Sequence, residues 1–335
     1  MRLQFPKSVP LANMGTRIEK LERLTHALGG PEIYIKRDDE TGSDLSGNKV
    51  RKLEFVIADA QAKGADTLVT CGGIQSNHAR ATAIIGARLG MKSFLVLRGD
   101  ETDEYDGNLF LDKLVGAEFK FITEEEYEIV EDIMADVGKE LRVQGRSPYI
   151  IPEGASNEIG VWGYIKAAKE IKDQIGETSL HIEHIVCAVG SGGTHAGLLL
   201  GSRLFGIEAE IVSLNVGKTA DYFVDRIYGI IKKTEEQFDL ERHISRDEIR
   251  VIDGYVGEGY ALSRPEEIHF IEEIAKLEGI ILDPVYTGKA LFGLVDQIRK
   301  GRFSKEAKIL FIHTGGIFGL FPKRDMFFRV KRKDR

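Results

Sequence analysis

The sequence is short of several things, and each shortage removes a class of protein. It has 2 cysteines in 335 residues, too few for a disulfide framework, so a reducing compartment is expected. Cys71 and Cys187 each close an apolar run and read as buried structural thiols. No apolar stretch approaches the roughly twenty residues that span a bilayer. The opening "MRLQFPKSVPLANMG" carries no long apolar segment of the signal-peptide kind. Basic charge is not in excess: 46 Lys and Arg against 53 Asp and Glu leave a net charge of -7, which argues against nucleic acid as a partner. The terminal "RVKRKDR" is the local exception and reads as a solvated end. His181 and His184 lie three apart, but no carboxylate–histidine cluster accompanies them, so no metal site is expected. No solenoid-length repeat is visible. A cytoplasmic chain free of membrane and nucleic acid is the expectation.

What is present is a regular alternation. Hydrophobic residues make up 42%, enough for a sizeable core, and the length suits two domains or one large one. Short β-branched runs such as "IYIKRDD", "DTLVTCGG", "KSFLVLRG", "HIVCAVG", "EIVSLNVG" and "KILFIHTGG" read as strands. Between several of them lie helical patterns: "NKVRKLEFVIADAQAKG", "SNHARATAIIGARLG", "GYIKAAKEIKDQIG" and a long acidic helix, "EEEYEIVEDIMADVGKELRVQG". Such alternation predicts an α/β chain of right-handed βαβ units, with a mostly parallel sheet and helices on both faces. The acidic residues 98–108 read as an exposed loop. "NVGKTADYFVDRI" is assigned to no element.

Three strands end in small polar loops that open helices: "CGGIQSNHA", "GSGGTHAGL" and "HTGGIFGL". Ligands of open α/β sheets bind at the carboxyl ends of strands, and helix N-termini there favour anions. One glycine turn means little, but three suggest one ligand-lined crevice. "GSGGTHAG" fails the dinucleotide pattern, because His195 stands where the third glycine belongs. It also lacks the Gly-Lys-Ser/Thr of a Walker loop. Gly190, Ser191, Gly192, Gly193 and Thr194 remain as a cup of backbone N–H groups and two hydroxyls for a single phosphate. A lysine at another glycine-flanked helix start, Lys49 in "SGNKVRK", then points to pyridoxal phosphate. Arg51 and Lys52 crowd the same turn. For Lys52 a phosphate contact and a plain surface charge are both open, and Arg51 is given no catalytic part.

Together "SGNKVRKLE", "GGIQSNHAR", "GSGGTHAGL", "DPVYTGKA" and "HTGG" resemble the D-cysteine desulfhydrase and 1-aminocyclopropane-1-carboxylate (ACC) deaminase family. These are pyridoxal-phosphate enzymes of the tryptophan-synthase-β fold type, and the motifs run in order from about residue 35 to about residue 316. The resemblance implies two open, twisted, mostly parallel sheets with helices on both faces. It implies a discontinuous large domain (1–51 and 161–335), a small domain (52–160) and a homodimer. It gives Lys49 the covalent hold on the cofactor and Lys52 its phosphate, beside the glycine cup. It sets Asn77 at the phenolic oxygen of the pyridine ring. Ser76, with Asn77 and His78 at the same helix start, would take the substrate carboxylate, and Tyr286 and Tyr260 would be the active-site tyrosines. Thr287 and Thr314 stand where ACC deaminases resemble one another in carrying Glu and Leu. That pair is similar to D-cysteine desulfhydrases, and which threonine meets the pyridine nitrogen stays open. The chain departs from many relatives after "HTGG", where it reads "IFGLF".

The implied activity is β-elimination from D-cysteine to pyruvate, hydrogen sulfide and ammonia, with Lys49 or a tyrosine taking the α-proton. A related lyase or deaminase acting on L-cysteate, D-serine or ACC is the alternative. A non-catalytic amino-acid or pyridoxal-phosphate binding protein is a third reading.

Overall fold

The computed structural model describes residues 3–240 and 243–328. The terminal "RVKRKDR", read above as a solvated end, lies outside them. Among the described residues ten strands alternate with eleven α-helices. In chain order these are β1 (Ile18–Lys20), α1 (Glu22–Leu28), β2 (Glu32–Lys36), α2 (Asn48–Ala62), β3 (Thr67–Gly73), α3 (Asn77–Arg88) and β4 (Lys92–Arg98). Then follow α4 (Gly107–Leu114), β5 (Glu118–Ile122), α5 (Glu124–Tyr127), α6 (Val130–Val143), β6 (Pro148–Ile150) and α7 (Trp162–Glu177). The last part holds β7 (His184–Val189), α8 (Gly193–Phe205), β8 (Glu210–Asn215), α9 (Ala220–Phe238), β9 (Arg250–Ile252), α10 (Pro265–Glu278), α11 (Thr287–Arg299) and β10 (Lys308–Ile312).

The strands form two sheets. One has six strands in the order β1-β2-β10-β7-β8-β9, the other four in the order β5-β4-β3-β6. All pairings are parallel except β1 with β2. Ile185, Val186 and Cys187 of β7 are fully buried, as a strand covered by helices on both faces requires. Its two faces feed different cores. Ile185 and Cys187 pack with α7 and α8, while Val186 packs with α10 and α11.

Helix α2 stands where the two sheets' cores meet. Phe55 joins the core of Trp162 and Ile165. Val50, Leu53, Val56 and Ile57 join that of Leu68 and Ile85. A helix apolar on opposite sides is buried, and here that fixes its N-terminus between the sheets. Its crossing with α7 is close: a Cβ at Gly163 would lie 2.4 Å from the Arg51 carbonyl carbon.

Four sequence expectations need correction or completion. The long acidic helix is two helices. Thr123 and Glu126 form a capping box that starts α5, and Ile129 leaves helical geometry before α6 begins. The break lets Val130, Met134, Val137 and Leu141 face the core on one side of α6. The third glycine loop opens no α-helix. Gly315 and Gly316 both have positive φ, and two 3-10 helices, Ile317–Gly319 and Phe321–Met326, follow. Within residues 98–108, Asp100, Glu101, Asp103 and Glu104 are exposed, but the stretch ends in α4, where Asn108 is completely buried. "NVGKTADYFVDRI" leads into α9, whose Thr219 cap accepts from the Tyr222 N–H. Among the described residues no helix is long and apolar enough to cross a membrane.

Candidate active site

The carboxyl ends of β7 and β10 and the start of α2 come together at one crevice. Gly47 makes the approach possible. It holds φ 112°, and a Cβ there would lie 2.6 Å from the Thr314 carbonyl oxygen. The Asn48 N–H donates to that same oxygen at 3.2 Å, and Asn48 Nδ2 donates to Thr194 Oγ1 at 2.9 Å. The "GNK", "GSGGT" and "HTGG" loops are thus tied by two hydrogen bonds from one asparagine. Lys49 lines the pocket they enclose, with its Nζ 5.9 Å from the Tyr286 ring centroid. Desolvation lowers its pKa from 10.5 to about 8, a value suited to an amine that must be neutral to react near pH 7.

Gly190, Ser191, Gly192 and Thr194 line the pocket opposite. Gly193 lies behind them, its N–H donating to Ser156 Oγ at 3.2 Å. Ser156, which sequence reasoning missed, organises the cup. Its Oγ also accepts from Lys52 Nζ at 3.0 Å and hydrogen-bonds Ser191 Oγ at 2.8 Å. Glycines allow the contact: a Cβ at Gly154 would meet Ser191 Oγ at 2.5 Å, and one at Gly193 would meet Ser156 Oγ at 2.6 Å. The available signal was "PEGASN", a fourth glycine turn after a strand.

Lys52 is fully buried, not a surface charge. Burial lowers its pKa well below 10.5, and Lys49 and Arg226 add to the effect. Among the described residues no carboxylate lies within ion-pairing distance of Lys49, Lys52 or Arg226. A buried cation without a counter-ion is costly. Buried Lys52, with half-buried Lys49 and Arg226, stands beside a cup of N–H groups and hydroxyls and fits a dianionic phosphate, so the residues present suit pyridoxal phosphate. Arg51, from the same turn, points the other way. It pairs with Asp38 through Nε at 2.9 Å and Nη2 at 2.7 Å, and with Glu170 at 3.1 Å.

The first glycine loop delivers the start of α3. Ser76 is its N-cap, accepting from the His78 and Ala79 N–H groups at 3.2 and 3.1 Å. Asn77 lines the pocket. The His78 imidazole is buried, with Nε2 at 2.8 Å from Thr70 Oγ1. Desolvation, then the nearby Lys49 and Lys52, drives its pKa far down. His195 also lines the pocket as a neutral ring, pushed down to about 3 by burial and held by Ser213 Oγ at 2.7 Å. His313 supports backbone, with Nε2 on the Ile281 carbonyl and Nδ1 accepting from the Gly315 N–H.

The two tyrosines come together through their hydroxyls, which hydrogen-bond directly. Tyr286 lines the pocket of Lys49. Tyr260 lines a neighbouring pocket of about 390 Å³ that shares Gly190 with the first. Burial raises both hydroxyls, Tyr260 to about 12 and Tyr286 further, because its neighbour Tyr260 adds to the penalty. Arg98 stacks on Tyr260 and on Tyr127, whose hydroxyl donates to Glu153 at 3.0 Å. Asp283 was missed as well. This buried carboxylate accepts from the N–H groups of Val285, Tyr286 and Thr287 and from Thr287 Oγ1. It fixes the turn that presents Tyr286.

The same bonds separate the two threonines. The Thr287 hydroxyl donates to Asp283 Oδ1 at 2.7 Å and accepts from the Asp283 N–H at 2.9 Å, and the residue is fully buried. Thr314 lines the pocket.

The chain matches known proteins over most of its length. The family profile described as "Pyridoxal-phosphate dependent enzyme" matches residues 9–315. A Thermotoga maritima protein named "Putative 1-aminocyclopropane-1-carboxylate deaminase" is 46% identical over 317 residues, covering 94% of this chain and 98% of that one. An Arabidopsis thaliana protein named "Bifunctional D-cysteine desulfhydrase/1-aminocyclopropane-1-carboxylate deaminase, mitochondrial" is 43% identical, covering 94% of this chain and 79% of that one. A crystal structure described as an ACC deaminase homologue superposes with a TM-score of 0.87 at 38% identity, over 96% of this chain and 95% of that one.

Proposed function

The chain belongs to the pyridoxal-phosphate dependent enzymes, and from that premise we propose that it eliminates the β-substituent of D-cysteine, giving pyruvate, hydrogen sulfide and ammonia. One observation carries the reading: Lys49 and Tyr286 face the same pocket, with the Tyr286 hydroxyl held by that of Tyr260. An amine able to take a proton and a hydroxyl able to give one therefore meet at one place.

When bound, the cofactor supplies the electron sink that makes an α-proton removable. The chain's residues do the rest. Lys49 would hold the cofactor covalently, and its amine would serve as the base for the α-proton. Lys52, Ser156 and the cup of Gly190, Ser191, Gly192, Gly193 and Thr194 hold the phosphate. Asn77, which lines the pocket, would donate to the phenolic oxygen. Ser76 and the N–H groups at the start of α3 take the substrate carboxylate. His78 helps to build that helix start from beneath. Tyr286, supported by Tyr260, protonates or guides the departing thiolate. Thr314, which lines the pocket, would meet the pyridine nitrogen, while Thr287 holds Asp283. A hydroxyl leaves that nitrogen neutral, sufficient for a leaving group as good as thiolate.

The second reading, a deaminase that opens ACC, is favoured by the name of the Thermotoga relative, while the name of the Arabidopsis relative carries both activities. A division into 1–51 with 161–335 and 52–160, a homodimer and a cytoplasmic location belong to the same proposal. The division is supported by the sheets: strands from residues 67–150 build the smaller, strands from 18–36 and 184–312 the larger. The test is product release from D-cysteine, L-cysteine, L-cysteate, D-serine and ACC side by side. Pyruvate from D-cysteine above all others is expected. Release of 2-oxobutyrate from ACC as the main activity would replace the first reading by the second, and no turnover with ligand binding intact would leave a binding protein.

A further inference from the structure

A chain of four polar side chains runs behind the pocket wall, and only one of its members, Asn77, lines the pocket. Asn108 is completely buried at the start of α4. Its Oδ1 accepts from Arg80 Nε at 2.7 Å. Its Nδ2 donates to the Gln75 carbonyl at 3.0 Å and to Asn77 Oδ1 at 3.2 Å. Its backbone N–H donates to Gln75 Oε1 at 2.9 Å. Arg80, also fully buried, spends its two remaining nitrogens on the carbonyls of Asp44 and Ser46, in the loop that leads into Lys49.

The order of donors and acceptors in this chain is forced from one end. A guanidinium has donors only, so the Asn108 atom facing Arg80 must be its oxygen. The Asn108 amide nitrogen then faces the Gln75 carbonyl, which can only accept, and Asn77. Asn77 must answer with its oxygen, and its own NH₂ is left for the pocket. A reversed amide at either asparagine would set donor against donor or acceptor against acceptor in a buried site.

We propose that Asn108, oriented by Arg80, is the positioning residue that turns the Asn77 amide so that it offers the cofactor a hydrogen-bond donor. Arg80 ties this orientation to the loop that carries Lys49. The inference rests on the reading of Asn77 as the contact to the phenolic oxygen, and the test separates the two.

In Asn108→Asp the oxygen facing Arg80 is kept, but the atom facing Asn77 becomes an acceptor. Asn77 then turns its NH₂ inward, and the cofactor loses its donor. The readout is the pH titration of the bound cofactor's visible band, with the cofactor dissociation constant alongside. Expected are a midpoint moved by about one pH unit, a tenfold change in the proton equilibrium, in Asn108→Asp and in Asn77→Ala, and no further shift in the double variant. Arg80→Lys keeps the charge but loses the planar fork whose three separate nitrogens reach Asn108, Asp44 and Ser46. It probes the chain from its other end, should Asn108→Asp fail to fold, and is expected to shift the midpoint in the same direction. A shift in Asn77→Ala with none in folded Asn108→Asp or Arg80→Lys overturns the positioning role and leaves the Asn77 contact standing. No shift in Asn77→Ala overturns that contact, and the positioning role with it.

Discussion

Gly47 lies against Thr314: the carbonyl oxygen of one loop occupies the space where any side chain of the other would begin. The contact joins the start of α2 to the end of β10 and so places Lys49 over the pocket. Gly47→Ala meets two penalties, a Cβ 2.6 Å from that oxygen and a φ of 112° that suits glycine alone. Strain and overpacking together amount to about 2–5 kcal/mol. Urea unfolding of the apoprotein should show a loss of that size, together with weaker cofactor binding. A fully stable Gly47→Ala protein would mean that the loops can part without consequence.

The unpaired cations give the apoprotein an unusual pH dependence. Lys49 has a folded pKa of about 8 against 10.5 unfolded, and Lys52 is shifted in the same direction. Between the two values the unfolded chain binds more protons, so stability rises with pH across that window and is lowest below about 8. The expected slope is on the order of 1 kcal/mol per pH unit for a single lysine. Melting of the apoprotein from pH 7.5 to 10, compared with Lys49→Met, isolates the contribution. Inorganic phosphate at pH 7.5 should raise the melting temperature, and Lys52→Met should abolish the effect. Stability that falls from pH 8 to 10 in the wild type relative to Lys49→Met would contradict the shift.

Much of this site was legible because its chemistry sits in contiguous motifs. "GNK", "GSGGT" and "DPVYTGK" each lie at a helix start, where backbone geometry restricts what can stand there, and the structure brings Lys49, Gly190 and Tyr286 to one pocket. The supporting residues were not legible, since their partners are distant in sequence. Ser156 meets Lys52 across 104 residues. Asn108 closes an acidic stretch whose composition described the exposed residues before it, not its own burial. Lys52 and Arg51 looked alike as basic residues on one turn. They separate because α2 is buried on both sides: one cation faces the cup, the other the carboxylates beneath. The split of the acidic helix at Ile129 depends on which face the smaller sheet covers, and periodicity alone does not carry that.

The tyrosine pair should behave as a unit. Tyr286→Phe removes the hydroxyl of the ring that lines the pocket of Lys49, and a lost acid–base group costs about 10²-fold or more in rate. Tyr260→Phe leaves the Tyr286 hydroxyl without its partner and should cost less. The double variant should fall little below Tyr286→Phe, because both changes cut one interaction. Steady-state pyruvate release measures all three. Independent, multiplying losses would show that the two hydroxyls serve separate steps.

Lys49 and Arg51 make a contrasting pair for substitution. Lys49→Ala should fold, retain phosphate binding through Lys52 and the cup, and lack the visible absorption of covalently held cofactor. Arg51→Met leaves the buried Asp38, which also accepts from Thr16 and Tyr164, without its cation, while Glu170 keeps Lys36. Breaking a buried pair from one side costs about 3–5 kcal/mol. Urea unfolding should show that loss, while the protein that remains folded keeps the wild-type absorption. The reverse pattern, in which Arg51→Met is stable but spectrally altered, would place Arg51 in the chemistry and require a different account of why three basic residues share this turn.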